Sequence, residues 1–233
     1  MSQSAFAYYG KLPSNGDFLQ KNLSSGFVRN WDGWLQEVVA KSRDELSDSW
    51  LNYYLTSPIW HFVLSPGNCD DSSWIGIMIP SVDKVGRYFP FAIFERISVP
   101  FNPMDLLEAN QQWFEEKEKA ILALLNEKIV LDNLEHIINT TAPLIVKSST
   151  VSSSLDIENS RFPVNIEKGI SDSLSNVLHG FIKHIHPVHS IWCTKGSDSV
   201  SPSLLVCNEL PSSSQYNALL DGNWKKWGWN GSI

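Results

Sequence analysis

Residues 59–97, IWHFVLSPGNCDDSSWIGIMIPSVDKVGRYFPFAIFERI, hold three apolar runs: Ile59 to Leu64, Trp74 to Ile79 and Phe89 to Ile97. Connectors around Pro66-Gly67-Asn68 and Asp83-Lys84-Val85-Gly86 separate them. Both connectors are too short for a crossover helix, so the three runs are expected to pair as an antiparallel meander. In Ile75-Gly76-Ile77-Met78-Ile79 apolar side chains face both sides, which places this strand in mid-sheet.

Upstream, the short apolar run Ala5 to Tyr9 reads as a strand, and Gly10-Lys11-Leu12-Pro13 and Ser14-Asn15-Gly16 read as a loop with a tight turn. Between Gly26 and Leu46, Phe27, Trp31, Trp34, Leu35, Val38 and Leu46 recur three and four apart, the mark of an amphipathic helix with an aromatic stripe. Downstream, Asn102 can cap a helix, Pro103 suits its first position and Asp105 favours its positive end. Helical spacing then continues from Met104 to Leu125. A second helix is expected over Leu131 to Ile138 and a loop over the serine-rich stretch Ser148 to Ser160. Leu174 to Ile185 reads as a helix stopped before Pro187, Ser190 to Thr194 and Ser203 to Val206 as a hairpin, and Gln215 to Leu220 as a short helix ending at Asp221-Gly222. The expected fold is α/β of the α+β type: a single domain over residues 1–222, with a central, mostly antiparallel sheet of about five strands flanked by helices. Residues 223–233 are read as a tail rich in tryptophan and lysine, expected to fold back onto the domain, with a partner site or a disordered end as the alternatives.

Composition limits the function. The formal net charge is −7 and no stretch is rich in lysine and arginine, which argues against nucleic acid and against anionic lipid as partners. The three cysteines, Cys69, Cys193 and Cys207, fit neither a disulfide framework nor a zinc motif. No basic-then-apolar leader opens the sequence and no run of about 18 apolar residues occurs, so a reduced, cytoplasmic protein without membrane insertion is expected. Ten tryptophans and eleven phenylalanines are an excess that suits a rigid core or an adhesive face.

Candidate chemistry is thin. Gly10-Lys11 resembles the end of a phosphate-binding loop, but Ala5 and Leu12 stand where that loop needs glycine and a hydroxyl residue. Ser81 lacks a nucleophile elbow, so a turn braced by Asp83, with Arg87 pairing Asp83 or Asp17, is the preferred reading. His179, His184, His186 and His189 invite a metal, yet on a helix His179 and His186 would lie about 10 Å apart, too far for one ion. Glu115 and Glu116 belong to an exposed helical face. Neither an enzyme, nor a metal site, nor a cofactor is expected.

Three segments together resemble a known family: Tyr9 to Phe18 (YGKLPSNGDF), Ser57-Pro58-Ile59-Trp60, and Pro80 to Pro90 (PSVDKVGRYFP), with Trp31-Asp32-Gly33-Trp34-Leu35 between the first two. The pattern is similar to the TagF family, also called ImpM, of type VI secretion accessory proteins, and runs from about Phe6 to Gly222. Asn15 departs from it, since the family usually carries arginine there, and no contact of that arginine is transferred. The resemblance implies a cytosolic, post-translational repressor of type VI secretion assembly in a Gram-negative bacterium, acting by binding a forkhead-associated scaffold protein. Lys11, Phe18, Arg87, Tyr88 and Trp227 are the candidate interaction residues, and Asp17, Asp83 and Arg87 the candidate loop braces. The alternative is a domain that binds a small ligand or phosphate through Lys11 and Arg87 beside the two glycine loops. Oligomeric state stays open.

Overall fold

The computed structural model describes residues 6–126, 131–149 and 171–230. Seven strands form one sheet: β1 (Ala7–Gly10), β2 (Leu19–Lys21), β3 (Trp60–Leu64), β4 (Ser73–Ile79), β5 (Phe91–Ile97), β6 (His189–Thr194) and β7 (Ser203–Asn208). Their order is β2-β1-β5-β4-β3-β6-β7, and every neighbouring pair is antiparallel. β4 therefore occupies the centre, where its two-sided apolar sequence can be buried. The sheet has seven strands where about five were expected: the three-residue β2 is too brief to show a period, and the expected terminal hairpin joins the same sheet, β6 pairing with β3 from His61↔Cys193 to Leu64↔Ser190.

Helices cover both faces. On one side lie α1 (Ser25–Leu46), α2 (Trp50–Thr56) and α7 (Ser213–Asp221), whose Phe27, Trp31, Leu35, Tyr54 and Tyr216 pack on Phe62, Trp74, Phe94 and Trp192 of the sheet. On the other lie α3 (Pro103–Ala109), α4 (Gln111–Leu125), α5 (Leu131–Thr140) and α6 (Ser171–Ile185), which cover Val63, Ile75, Ile77, Ile93 and Ile191. Strand alternation sends odd and even residues of β4 to opposite layers, so one strand anchors both cores. Ser24 caps α1 by accepting from the Phe27 N–H at 3.1 Å.

Two helical expectations need correction. The single helix expected to Leu125 breaks at Asn110, which leaves helical geometry. Its buried amide donates to the Leu106 carbonyl at 2.7 Å and to the Ile145 carbonyl at 2.8 Å, while its oxygen accepts from the Ile145 N–H at 2.8 Å. The side chain thus ties an extended segment to the helix break. Helix α2 was not expected at all; seven residues with only Trp50 and Tyr54 buried carry little periodic signal. Of the expected serine-rich loop, Ser148 bridges Phe101, and residues 150–160 lie outside those described.

The tryptophan tail folds back. Trp224, Trp227 and Trp229 are half-buried against the first core, and the Trp229 indole donates to the Gln215 carbonyl at 3.0 Å.

Gly76 marks a close approach at the centre of the sheet. A Cβ there would lie 2.4 Å from the Phe62 ring and 2.3 Å from the Ile93 carbonyl oxygen. Gly76→Ala is expected to destabilise the fold by about 1–3 kcal/mol through overpacking. A urea midpoint unchanged from wild type would show that Phe62 yields without cost.

Candidate functional site

The two glycine loops meet at one end of the sheet. β1 ends at Gly10, whose φ of +135° and contact with Pro90 leave no space for a side chain: a Cβ would fall 2.2 Å from the Pro90 carbonyl oxygen. The chain turns inward here, so Lys11 is buried at 5% exposure. Its ammonium donates to Asp83 Oδ2 at 2.8 Å and lies 4.7 Å from the centre of the Phe18 ring. Ser81 Oγ donates to the Lys11 carbonyl at 2.6 Å, and Tyr54 Oη donates to the Ser81 carbonyl at 2.9 Å.

Asp83 organises the second loop. Oδ1 accepts from the backbone N–H of Val85 at 3.0 Å and of Arg87 at 2.8 Å; Oδ2 accepts from Lys11 and, at 2.6 Å, from Arg87 Nε. Burial alone would raise this carboxyl, but the Lys11 and Arg87 donors outweigh it and hold it well below the usual carboxylate range. Arg87 Nη2 then donates to the Gly16 carbonyl, and the Lys84 N–H to the Asn15 carbonyl at 3.1 Å. The loops are thus joined by Lys11, Asp83 and Arg87.

Several candidate residues stand differently from expectation. Asp17 is exposed, and Arg87 reaches the neighbouring carbonyl of Gly16 instead, because the guanidinium fork is already fixed by Asp83. Lys11, an interaction candidate from the sequence, is buried and paired internally with Asp83, where it anchors the loop. Trp227 is half-buried, with its indole donating to Asp221 Oδ2 at 2.8 Å and the Lys226 ammonium 4.1 Å above its ring. Phe18 remains 42% exposed, edge-on to Phe89 at 4.8 Å. The Arg87 side chain is 57% exposed, and Tyr88 is half-buried against Trp50 and Tyr54.

Beside Arg87 and Tyr88 opens a groove of about 780 Å³ between the second loop, α1 and α2. Val39, Trp50, Leu51 and Phe89 line it together with Arg43, whose guanidinium lies 4.3 Å above the Trp50 ring. Arg43 and Leu51 were missed by sequence reasoning. The Trp50–Tyr54 spacing followed by Ser57-Pro58 is the signal that would have found α2.

Burial pushes the Cys69 and Cys207 thiols up to about 12 and Cys193 to about 11, so none is a thiolate at neutral pH. Among the described residues no three His, Cys, Asp or Glu side chains gather closely enough to hold a metal ion, and no helix is long and apolar enough to cross a membrane.

No curated protein matches the chain. The crystal structure of PA0076 from Pseudomonas aeruginosa PAO1 is similar to it, with a TM-score of 0.79 and 28% sequence identity over 98% of this chain and 96% of that one. The family model of the TagF N-terminal domain, type VI secretion system-associated, matches residues 7–141. That span contains both joined loops, Trp31 and the Asn110 break, and so the chain belongs to the TagF family of type VI secretion system-associated proteins.

Proposed function

We propose that the protein is a cytoplasmic, post-translational repressor of type VI secretion assembly that acts by binding a forkhead-associated scaffold protein, without turning over a substrate. The observation that carries this reading is the Arg43–Arg87 groove, held open beside the two loops by the Lys11–Asp83–Arg87 network. Arginine and large aromatic side chains over an apolar floor are the residue types that concentrate binding energy. Two arginines at its rim suit a partner segment carrying carboxylates and one or two apolar anchors.

The test is secretion in the host bacterium together with direct binding of the purified scaffold. Overproducing the wild-type chain is expected to stop release of the secreted tube protein while apparatus protein levels stay unchanged. Arg87→Ala combined with Leu51→Ala, both at exposed positions, should weaken scaffold binding at least about tenfold, the effect of losing about 1.4 kcal/mol, and restore secretion. Full repression by that variant would exclude the groove. Unimpaired secretion under wild-type overproduction would exclude the repressor reading itself.

A further inference from the structure

The two edges of the sheet are built differently. β2 closes one edge with three residues, Leu19–Lys21, and the left-handed conformation of Asn22 (φ +54°) ends it at once. Shortness and a lysine are common means of keeping a sheet edge from pairing with other chains. β7 closes the other edge with six residues, Ser203-Leu204-Leu205-Val206-Cys207-Asn208, which include neither a charge nor a proline. Among the described residues no strand pairs with its outer side.

The side chains of β7 divide between two faces. Leu205 and Cys207 are buried in the first core, opposite Trp192 and Ser190 of β6. Leu204 and Val206 stand opposite Cys193 and Ile191, on the face that carries the second core. Ile191 is sealed there, whereas Leu204 is 55% and Val206 37% exposed. The helical cover therefore stops at β6, and an uncharged apolar strand lies open along its edge and on one face.

We propose that β7 is a self-association seam: a second copy of this chain adds its own β7 antiparallel to the first, and one sheet continues across a two-fold axis. A strand paired with its own copy is self-complementary, since each main-chain group it offers meets its symmetry equivalent. Side chains fix the register. Paired residues must share a face, and only a pairing centred on Leu205 sets both exposed residues against apolar residues of the other strand. Leu204 of each copy then faces Val206 of the other, so β7 itself carries the apolar partners that its open face lacks. Charge permits the contact: two chains of net charge −7 repel each other, and β7 brings no carboxylate into the seam.

The seam is small. A six-residue strand spans about 20 Å and a sheet with its side chains about 10 Å, which puts the contact at the low end of specific interfaces, about 1,200 Å² or below. The dimer is accordingly weak and reversible, dissociating in the micromolar range. β7 shares no residue with the Arg43–Arg87 groove, and the proposal does not rest on scaffold binding.

Sedimentation velocity of the full chain from about 1 to about 300 µM tests the seam. The wild-type chain is expected to pass from monomer to dimer as concentration rises. Leu204→Lys combined with Val206→Lys, both at exposed positions, sets lysine against lysine at two places and should leave a folded monomer throughout. Gln20→Lys, exposed on the opposite edge, should leave the dimer as it is, and so should Arg87→Ala combined with Leu51→Ala. Disulfide formation reads the register, in a Cys193→Ser background because Cys193 stands opposite residue 204 of its own chain. With an added oxidant, a mixture of Leu204→Cys and Val206→Cys chains should crosslink several-fold faster than either variant alone, since the mixed pair stands directly opposite and like pairs stand diagonally. A wild-type chain that stays monomeric at the highest concentration, or a dimer that survives both lysines, would overturn the seam. Single variants that crosslink as fast as the mixture would overturn the register centred on Leu205.

Discussion

Trp31→Ala is expected to lower the unfolding free energy by about 3–5 kcal/mol, a large share of the roughly 5–15 kcal/mol that holds a domain folded. The indole is fully buried in the second turn of α1. It lies edge-on to Phe94 at 5.1 Å, tilted against Phe62 at 5.3 Å and Trp34 at 4.9 Å, and parallel to Trp192 at 6.4 Å. Those partners come from β5, β3, α1 itself and β6, so truncation opens a cavity at the point where the helix layer locks four elements together. One term runs the other way. Trp31 Nε1 has no hydrogen-bond partner among the described residues, and an unsatisfied buried donor costs about 1–3 kcal/mol. Trp31→Phe keeps an aromatic ring and removes that donor, so it should cost far less than alanine. Urea unfolding of both variants checks this. Equal, small losses would put the ring outside the core, and a phenylalanine variant as damaged as the alanine one would show that the indole N–H is satisfied.

The sequence made the sheet centre and the helix stripe legible for one physical reason: both rest on local periodicity. β4 alternates large apolar residues onto two faces, and α1 repeats buried ones at Phe27, Trp31, Leu35 and Val38; either pattern identifies its element without knowledge of the rest of the chain. β2 and α2, at three and seven residues, are too short for a period to stand out. Asn110 breaks a continuous helical pattern because Ile145, thirty-five residues away, supplies it with better partners than the helix does. The candidate site was legible at the level of loops and not of side chains. Gly10, Asp83, Gly86 and Arg87 announce turns by residue type. Whether Lys11 points outward depends on where Asp83 lies, and that is set by the β1–β5 pairing. The edge-to-face contact of the His179 and His189 rings, 6.3 Å between centroids, has a similar origin. Pro187 ends the helix between them, so the partner of His179 comes from a strand rather than from the next helical turn.

That inward turn of Lys11 supports the sharpest contrast among neighbouring substitutions. Lys11→Met should lower the melting temperature by roughly 10 °C, whereas Arg87→Ala should shift it by no more than a couple of degrees. Both cations bond the same oxygen of Asp83, at 2.8 and 2.6 Å, and distance alone would rank Arg87 first. Burial decides otherwise. The Lys11 side chain is 6% exposed and the Arg87 side chain 57%, so water and salt screen the arginine pair and hardly reach the lysine pair. Methionine keeps the stem beneath Phe18 but leaves the carboxylate with the screened arginine and two backbone donors. Lys11→Met combined with Asp83→Asn should recover part of the loss, because the amide oxygen can still accept from the loop and no buried charge is stranded. The pH profile gives an independent check. The Asp83 carboxyl is held below its ordinary value of 3.8 in the folded protein, so its contribution is complete above about pH 5 and is lost as pH falls through the folded value. Removing Lys11 moves that value up toward the unfolded one. The gap between wild type and Lys11→Met should therefore stay constant from pH 7 to about pH 5 and narrow below about pH 4. A gap that widens in acid, or equal losses for Lys11→Met and Arg87→Ala, would mean that the two loops are joined by something other than this buried pair.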